Sequence, residues 1–413
     1  MASEAIDGTS HWTSDAHTEL INSYRSPSNV DTPLSLNLWN FSDRIRAYLN
    51  PDFCNRLFDS SGAHLQSLSQ SLHLSYPCVC HLRRGLYSLP LPVLRQLSNL
   101  SEISLSAIQA HVTSIQTRSG KSITIPLPIR GNALLASLVG HVFGDGYVGS
   151  RKRQFEYSNK NPYLIQEVKE SISSLFGISP ISEREDRIEY PCIIGEILSY
   201  FGAPLAPKIY SHDPVPAWVL SSKKYQRSFL KAFFDDDGSV MYSPNYRAKG
   251  VNLYVIRHVQ EEATVLSLLE QVRIMLSAFG VHSGKPLVSR YYTKRDGKRV
   301  VAYLNITDYD SIVAFNACIG LTTGAKNLKL QALALREMRY SKGHESALEE
   351  RIFRYLLKKK MVSTAGIAKF LKTPVQKIKK KMDHFLRQGR VYIVGRVSPN
   401  RSFLWKPMEK KHM

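Results

Sequence analysis

The sequence predicts an α+β protein: a central αββαββα unit present twice, between a helical N-terminal domain and a C-terminal domain of three helices and a hairpin. Three observations predict it. The stretches NALLASLVGHVFGDG (132–146) and QRSFLKAFFDDDG (226–238) share a stripe of small residues ending in Asp-Gly. The same run of elements follows each. The termini keep a helical apolar period even where charge is dense, in a chain of 413 residues and net charge +21.

Composition narrows the function classes. An apolar fraction of 43% excludes wholesale disorder. No apolar run approaches the ~20 residues a membrane span needs, so no membrane partner is expected. The first twenty residues lack the basic and apolar regions of a signal peptide, and a cytoplasmic, nucleoid-associated protein is expected. A pI near 9.7 points to a polyanion, nucleic acid ahead of an anionic membrane surface. The five cysteines include Cys78-x-Cys80 without a second pair at ligand spacing, so reduced thiols are expected rather than structural zinc. Charge is uneven. Residues 1–128 hold 9 basic and 9 acidic side chains, 129–340 hold 27 and 20, and 341–413 hold 19 and 5.

Residues 1–38 are rich in Ser, Thr, Asn and Asp and read as a mobile segment. From 39 to 102 the pattern is helical. Leu65, Leu68 and Leu72 share one face, and His73-Leu74-Ser75 forms a turn. Ser75 stands where it can cap a second helix to Arg84, and a third helix follows from Pro92 to Leu100. The stretch from Ser67 to Leu97 resembles the Cro and phage-repressor helix-turn-helix. The resemblance implies that Tyr76, His81, Arg83 and Arg84 approach the major groove. A plain helical bundle is the other reading, and the neutral charge of this third favours it. Residues 103–130 read as a linker with a β-hairpin over Val112–Ile125.

Aligning Asp145 with Asp237 sets Ala136, Gly140 and Gly144 against Ser228, Ala232 and Asp236, four residues apart on one helix face. Small residues there let two helix backbones approach, bringing two carboxylates together at the helix ends. Two anions at the negative ends of two helix dipoles repel, and divalent cations would neutralise them. One helix ending in Asp-Gly is commonplace; the duplicated flanks make the pair informative. Gln154–Asn159 reads as a strand and Pro162–Phe176 as a helix. In the second half, Val251–Arg257 and Glu261–Phe279 repeat that order. A hairpin over Lys285–Ile306 turns at Asp296-Gly297. Each half closes on a Gly with a Lys six residues later, Gly202 with Lys208 and Gly320 with Lys326.

Over about 130–335 the chain resembles LAGLIDADG homing endonucleases of the single-chain, two-motif kind. The resemblance implies a pseudo-dimer, half 1 over 131–222 and half 2 over 223–340, cleaving both strands of a DNA site with Mg²⁺, for which Mn²⁺ can substitute. It implies that Asp145 and Asp237 bind metal, with the backbone carbonyls of Gly144 and Asp236 adding ligands. It further implies that Lys208 and Lys326 stand near the scissile phosphates, and that Asn159 and Arg257 order water. Two positions depart from the family pattern: Phe143 replaces its first Asp, and Asp236 replaces a small residue.

The strands and loops of both halves carry cations and tyrosines suited to phosphates and guanine edges: Arg151, Lys152, Arg153, Arg247, Lys249, Arg290, Tyr292, Lys294, Arg295, Lys298 and Arg299. Solvated surface charge is the other reading for each of them. Residues 341–413 read as helices 347–360, 363–371 and 374–388, then strands 391–397 and 401–405. They resemble a winged helix of the archaeal and bacterial kind, with Lys377, Lys380, Lys381, Arg390 and Arg396 toward DNA. A basic solvated bundle is the alternative. The expected activity is therefore site-specific double-strand cleavage by a functional monomer. Two alternatives stay open: a non-catalytic transcription regulator on the same scaffold, and a maturase bound to structured intron RNA. An intein remnant is disfavoured by the start at Met1 and the lack of a His-Asn junction.

Overall fold

The computed structural model describes residues 34–117, 120–242, 249–322, 324–341, 344–387, 389–396 and 403–407; for Lys249, residues 336–341 and 344–347, and Arg396, it describes the backbone alone. The protein is α+β. Residues up to Leu330 form one compact unit and residues from Gln331 onward a second.

The first unit opens with a structured segment where residues 34–38 were expected to be mobile. Strand β1 (Ser35–Leu36) pairs with β5 (Ile129–Arg130), and Leu36 and Leu38 are wholly buried. The N-terminal region is also not purely helical. Strand β2 (Ile45–Leu49) is central to a three-stranded sheet between β3 (Leu89–Pro90) and β4 (Val112–Thr117). The alternation in Ile45-Arg46-Ala47-Tyr48-Leu49 places Ile45, Ala47 and Leu49 in the core. The stretch read as a linker hairpin therefore belongs mainly to this sheet. Its hairpin survives as one bridge, Ile115 to Ile123. Around the sheet lie α1 (Pro51–Asp59), α2 (Leu65–Ser71), α3 (Tyr76–Arg83), α4 (Leu91–Ser101) and α5 (Leu105–Ala110). The turn between α2 and α3 passes through His73 at φ +51°. Ser75 occupies the N-cap of α3, but its hydroxyl makes no capping bond there.

Half 1 runs through α6 (Ala133–Phe143), β6 (Gly146–Val148), β7 (Phe155–Ser158), α7 (Pro162–Phe176), β8 (Ser182–Arg184), β9 (Arg187–Tyr190) and α8 (Cys192–Tyr200). A short α9 (Ala217–Leu220) leads to half 2. Its elements are α10 (Lys223–Asp237), β10 (Gly238–Tyr242), β11 (Lys249–His258), α11 (Glu262–Ser277), β12 (Leu287–Lys294), β13 (Gly297–Ile306) and α12 (Tyr309–Cys318). The sheets have matching antiparallel orders, β6-β7-β9-β8 and β10-β11-β13-β12. Helix α13 (Ala325–Ser341) follows. Local chemistry sets the helix ends: the Asn132 side chain caps α6, Asn161 caps α7, and Gly177 at φ +65° stops α7.

The halves meet along α6 and α10. A Cβ built on Gly140 would lie 2.6 Å from the Phe229 carbonyl oxygen and 3.0 Å from the Ala232 Cβ. One built on Gly144 would lie 2.7 Å from the Asp236 Oδ2. The small-residue stripe thus puts the two backbones in direct contact. Phe143, at the first departure from the family pattern, packs edge-on against Phe229 at 5.2 Å and Phe233 at 6.0 Å.

The second unit contains α14 (His344–Lys359), β14 (Val362–Ser363), α15 (Thr364–Phe370), α16 (Val375–Arg387), β15 (Val391–Arg396) and β16 (Phe403–Pro407), with sheet order β14-β16-β15. Ile352, Leu356, Ile367, Ile378, Met382, Phe385 and Trp405 form its core. The Trp405 indole donates to the Thr364 hydroxyl at 2.8 Å, so its one polar atom is satisfied.

Because the α6–α10 contact has no room for a side chain at Gly140, Gly140→Val is expected to destabilise the first unit by at least about 2 kcal/mol. Chemical denaturation checks this. A surface control such as Ser173→Ala should leave the midpoint unchanged.

Candidate functional site

The ends of α6 and α10 place Asp145 and Asp237 beside each other's motif. Asp145 is exposed and its Oδ2 accepts from Asn159 at 2.8 Å. Burial raises Asp237, and the nearby Asp145 and Asp236 carboxylates add to the rise; against the pull of Lys208 and Arg257 it reaches about 7. Loss of water around its carboxyl, where the neighbouring motif closes over it, and the Asp236 charge raise Asp145 as well.

Asp236 explains its own presence. Its carboxylate is fully enclosed and is bonded to half 1 on every side. Oδ1 accepts from the Tyr157 hydroxyl at 2.7 Å. Oδ2 lies 3.1 Å from His141 Nδ1 and accepts from the Asp145 backbone N–H at 3.2 Å. Burial alone would lower His141, but the Asp236 charge and hydrogen bond hold it above its usual value. The third acid is therefore a cross-half polar lock. Its partners have no counterparts across the pseudo-symmetry, where Phe233 answers His141 and Leu253 answers Tyr157.

Asp235, the other acid of the second motif, is also internal. It accepts from the Thr322 backbone N–H at 2.8 Å and from the Thr322 hydroxyl at 2.7 Å. Lys231 stands 3.2 Å away and bonds Glu167 of α7 at 2.9 Å. A second set of charges thus ties α10 to half 1.

Lys208 and Lys326 occupy equivalent places. Lys208 donates to the carbonyls of Val142, at 3.0 Å, and Gly144. Lys326 donates to those of Asp235 at 2.6 Å and Asp236 at 2.9 Å. Each ammonium caps the negative end of one motif helix. The Gly144 and Asp236 carbonyls, expected as metal ligands, each accept from one of these lysines. Arg257 is buried and donates to its own strand at Ile256 O. Strand register further separates it from Asn159. Gly146 pairs with Tyr157 and Gly238 with Leu253, so Asn159 corresponds to Val255 and Arg257 to Asn161.

Mg²⁺ requires hard oxygens that are free to bind it. Asp145 and Asp237 offer two carboxylates. The two carbonyls already accept from ammonium groups, whose charge repels a cation, and the Asp236 carboxylate is taken up by His141, Tyr157 and the Asp145 N–H. Among the described residues no three His, Cys, Asp or Glu side chains are grouped to hold a metal. This donor set does not fit the cation. A cleft of about 750 Å³ opens beside Asp145, lined by Asn159, Lys160, Tyr163, Thr322 and Lys326 among others.

The expected DNA contacts divide. Tyr76, Arg84, Arg151, Lys152, Arg290, Lys294, Arg295 and Lys298 are exposed, as are Lys377 and Lys380 in the second unit. His81 and Tyr292 are half-buried, and His81 lies 4.9 Å from the Tyr87 ring. Other cations are committed internally. Arg83 pairs with Asp59 at 2.7 Å, and Arg153 bonds Ser199 at 3.1 Å. Arg299 is buried on Asp296, and Lys381 pairs with Glu349 at 2.9 Å. Arg390 lies over the Phe353 and Phe385 rings at 4.3 and 4.8 Å. Arg247 and the side chains of Lys249 and Arg396 lie outside the described residues. Sequence reasoning missed His141 and Tyr157. The signal for them was the acid at position 236, which at a tight interface demands donors.

Comparison with known proteins agrees with the central fold. The profile of the LAGLIDADG-like domain matches residues 224–320. The replication factor C small subunit of Methanocaldococcus jannaschii is 23% identical over 202 residues, 43% of this chain and 11% of that protein. That of Thermococcus kodakarensis is 28% identical over 183 residues, 42% of this chain and 19% of that protein. The chain thus spans under a fifth of the curated relatives it matches. Two solved structures are similar at low scores. Full-length DUF199/WhiA from Thermatoga maritima has TM-score 0.30 and 14% identity, covering 62% of this chain and 90% of that one. The N-terminal LAGLIDADG domain of DUF199/WhiA has TM-score 0.28 and 16% identity, covering 46% and 84%. The profile match places a LAGLIDADG-like domain at residues 224–320, and half 1 repeats the sheet order of half 2.

Two predictions follow from the acid cluster. Asp236→Ala strands the buried His141 and Tyr157 donors and is expected to cost about 3–5 kcal/mol, whereas Asp236→Asn, which keeps an acceptor for Tyr157, costs less. Denaturant titration of both variants checks the order. Asp237 is an acid raised in the folded state, so the fold binds its proton more tightly than the unfolded chain does. Stability is greatest below the unfolded value and falls as pH rises from about 4 to about 7. Asp237→Asn should therefore raise the melting temperature at pH 8 and leave it nearly unchanged at pH 4.

Proposed function

We propose that the protein is a site-selective duplex-DNA-binding protein on a LAGLIDADG scaffold, acting as a regulator and not as a nuclease. The observation that carries this reading is how the motif ends are used. The carbonyls beside both terminal acids hold lysine ammonium groups, and the third carboxylate bonds the two halves together. Around them the chain keeps exposed cations in three regions: the α3 end, the half 2 sheet and α16. Net charge +21 implies strong, salt-dependent affinity for a polyanion. Helix α3 after its tight turn supports groove entry, and α16 with its following strands has winged-helix order. Both would extend the contact made by the central domain.

Metal-dependent cleavage is the second reading. Asp145 and Asp237 favour it, since two acids with raised pKa values held close at helix ends are a feature of functional sites.

Mobility shifts on a randomised duplex pool, together with incubation of a plasmid library with Mg²⁺ or Mn²⁺, separate the readings. The expected result is selective shifts that weaken steeply with salt, and intact plasmid. Linearised plasmid that disappears with Asp145→Asn would establish the nuclease instead.

A further inference from the structure

The two central sheets differ on the face turned away from their helices. In half 2, β11 and β13 have ten residues each. At ~3.4 Å per residue they span ~34 Å, about one turn of a duplex. The half 1 strands have three or four residues and span only ~10–13 Å.

Chemistry follows the same division. None of the four half 2 strands carries an Asp or Glu. Register pairs Tyr254 with Tyr303 and Ile256 with Val301, and Val301 with Arg290 on β12. The intervening Leu253, Val255, Ala302 and Leu304 are buried, so by alternation the first set lies on the outer face, where Val301 is covered and the others reach the surface in whole or part. There Ile256 and Arg290 are exposed, and the Tyr254 and Tyr303 rings stack at 5.9 Å. Hydroxyl donors, an apolar contact for thymine methyls and an uncompensated guanidinium suit a major groove.

On the outer face of half 1, Glu156 and Glu189 are cross-strand partners. Arg187 lies between them, 2.6 Å from Glu156 and 2.9 Å from Glu189, and Gln154 donates to Glu189 at 3.1 Å. One guanidinium nitrogen, Nη2, bridges both carboxylates and has its charge offset by them, and the carboxylates themselves repel phosphate. Arg184 is the one cation left unclamped on the described strands of this half.

We infer that the central domain grips DNA from one side. The half 2 sheet contacts the duplex, and the Glu156–Arg187–Glu189 cluster keeps the half 1 sheet from doing so. This rests on the DNA-binding reading and adds which half contacts the target.

The test is hydroxyl-radical footprinting of the full-length protein on a duplex selected from a randomised pool. Wild type, Arg290→Ala and the double variant E156Q/E189Q are compared. Wild type should protect ~10 central base pairs on one side of the midpoint, the side whose protection Arg290→Ala weakens. E156Q/E189Q releases Arg187, so it should add protection on the opposite side and steepen the salt dependence by about one counterion. If the double variant melts early, E156Q alone should give part of that gain. Equal protection on both sides by wild type, or no added protection in either natively melting Glu variant, overturns the inference and leaves DNA binding standing. No protection of any duplex overturns the DNA-binding reading and this inference with it.

Discussion

The backbone contact between α6 and α10 is the constraint on which the rest of the central fold depends. Gly140 lies against the Phe229 carbonyl with no room for a Cβ, and that closeness fixes everything at the helix ends. It forces three carboxylates, Asp145, Asp236 and Asp237, into one small volume at the negative ends of two helices. In water, charges of one sign so arranged would separate. Here Asp236 and Asp145 have hydrogen-bond donors, and Asp237 is offset in part by the nearby charges of Lys208 and Arg257. Lys208 and Lys326 sit on the helix carbonyls, His141 and Tyr157 hold Asp236, and Asn159 holds Asp145.

The two halves share topology but not roles. Half 1 contributes the donors His141 and Tyr157 and a sheet whose arginine is bound to glutamates. Half 2 contributes the buried acceptor Asp236 and a longer sheet free of acids. Asymmetry of this kind also protects the pairing. Two copies of half 2 would set Asp236 against Asp236, an uncompensated buried pair, whereas the observed pairing neutralises it. A duplicated scaffold has thereby become an obligate combination of unlike parts.

Much of this was legible in the sequence where the signal is local or repeated. The Asp-Gly ends at 145–146 and 237–238, the stripe of small residues and the matching flanks showed a duplication, and the apolar period of 347–388 showed helices. What was hidden depends on partners distant in the chain. Strand β2 pairs with β4 some sixty residues on, so Ile45–Leu49 offered only a five-residue alternation within helical surroundings. The exchange of ligand carbonyls for lysine acceptors has no sequence signature, because any backbone oxygen can accept. Likewise Arg83, Arg299 and Arg390 read as free cations until Asp59, Asp296 and the Phe353 and Phe385 rings appear beside them. Residue type gives the charge, and only tertiary structure shows whether it is already used.

The Asp236 carboxylate and the backbone carbonyls at the motif ends serve the protein's own cohesion. The most direct test is a crystal structure of the complex with its selected duplex, grown with Ca²⁺ or Mg²⁺. Lys208 and Lys326 should still lie on the helix carbonyls, with no cation shared by Asp145 and Asp237. A cation between those two carboxylates, ligated by the Gly144 and Asp236 carbonyls and by a DNA phosphate, would contradict it.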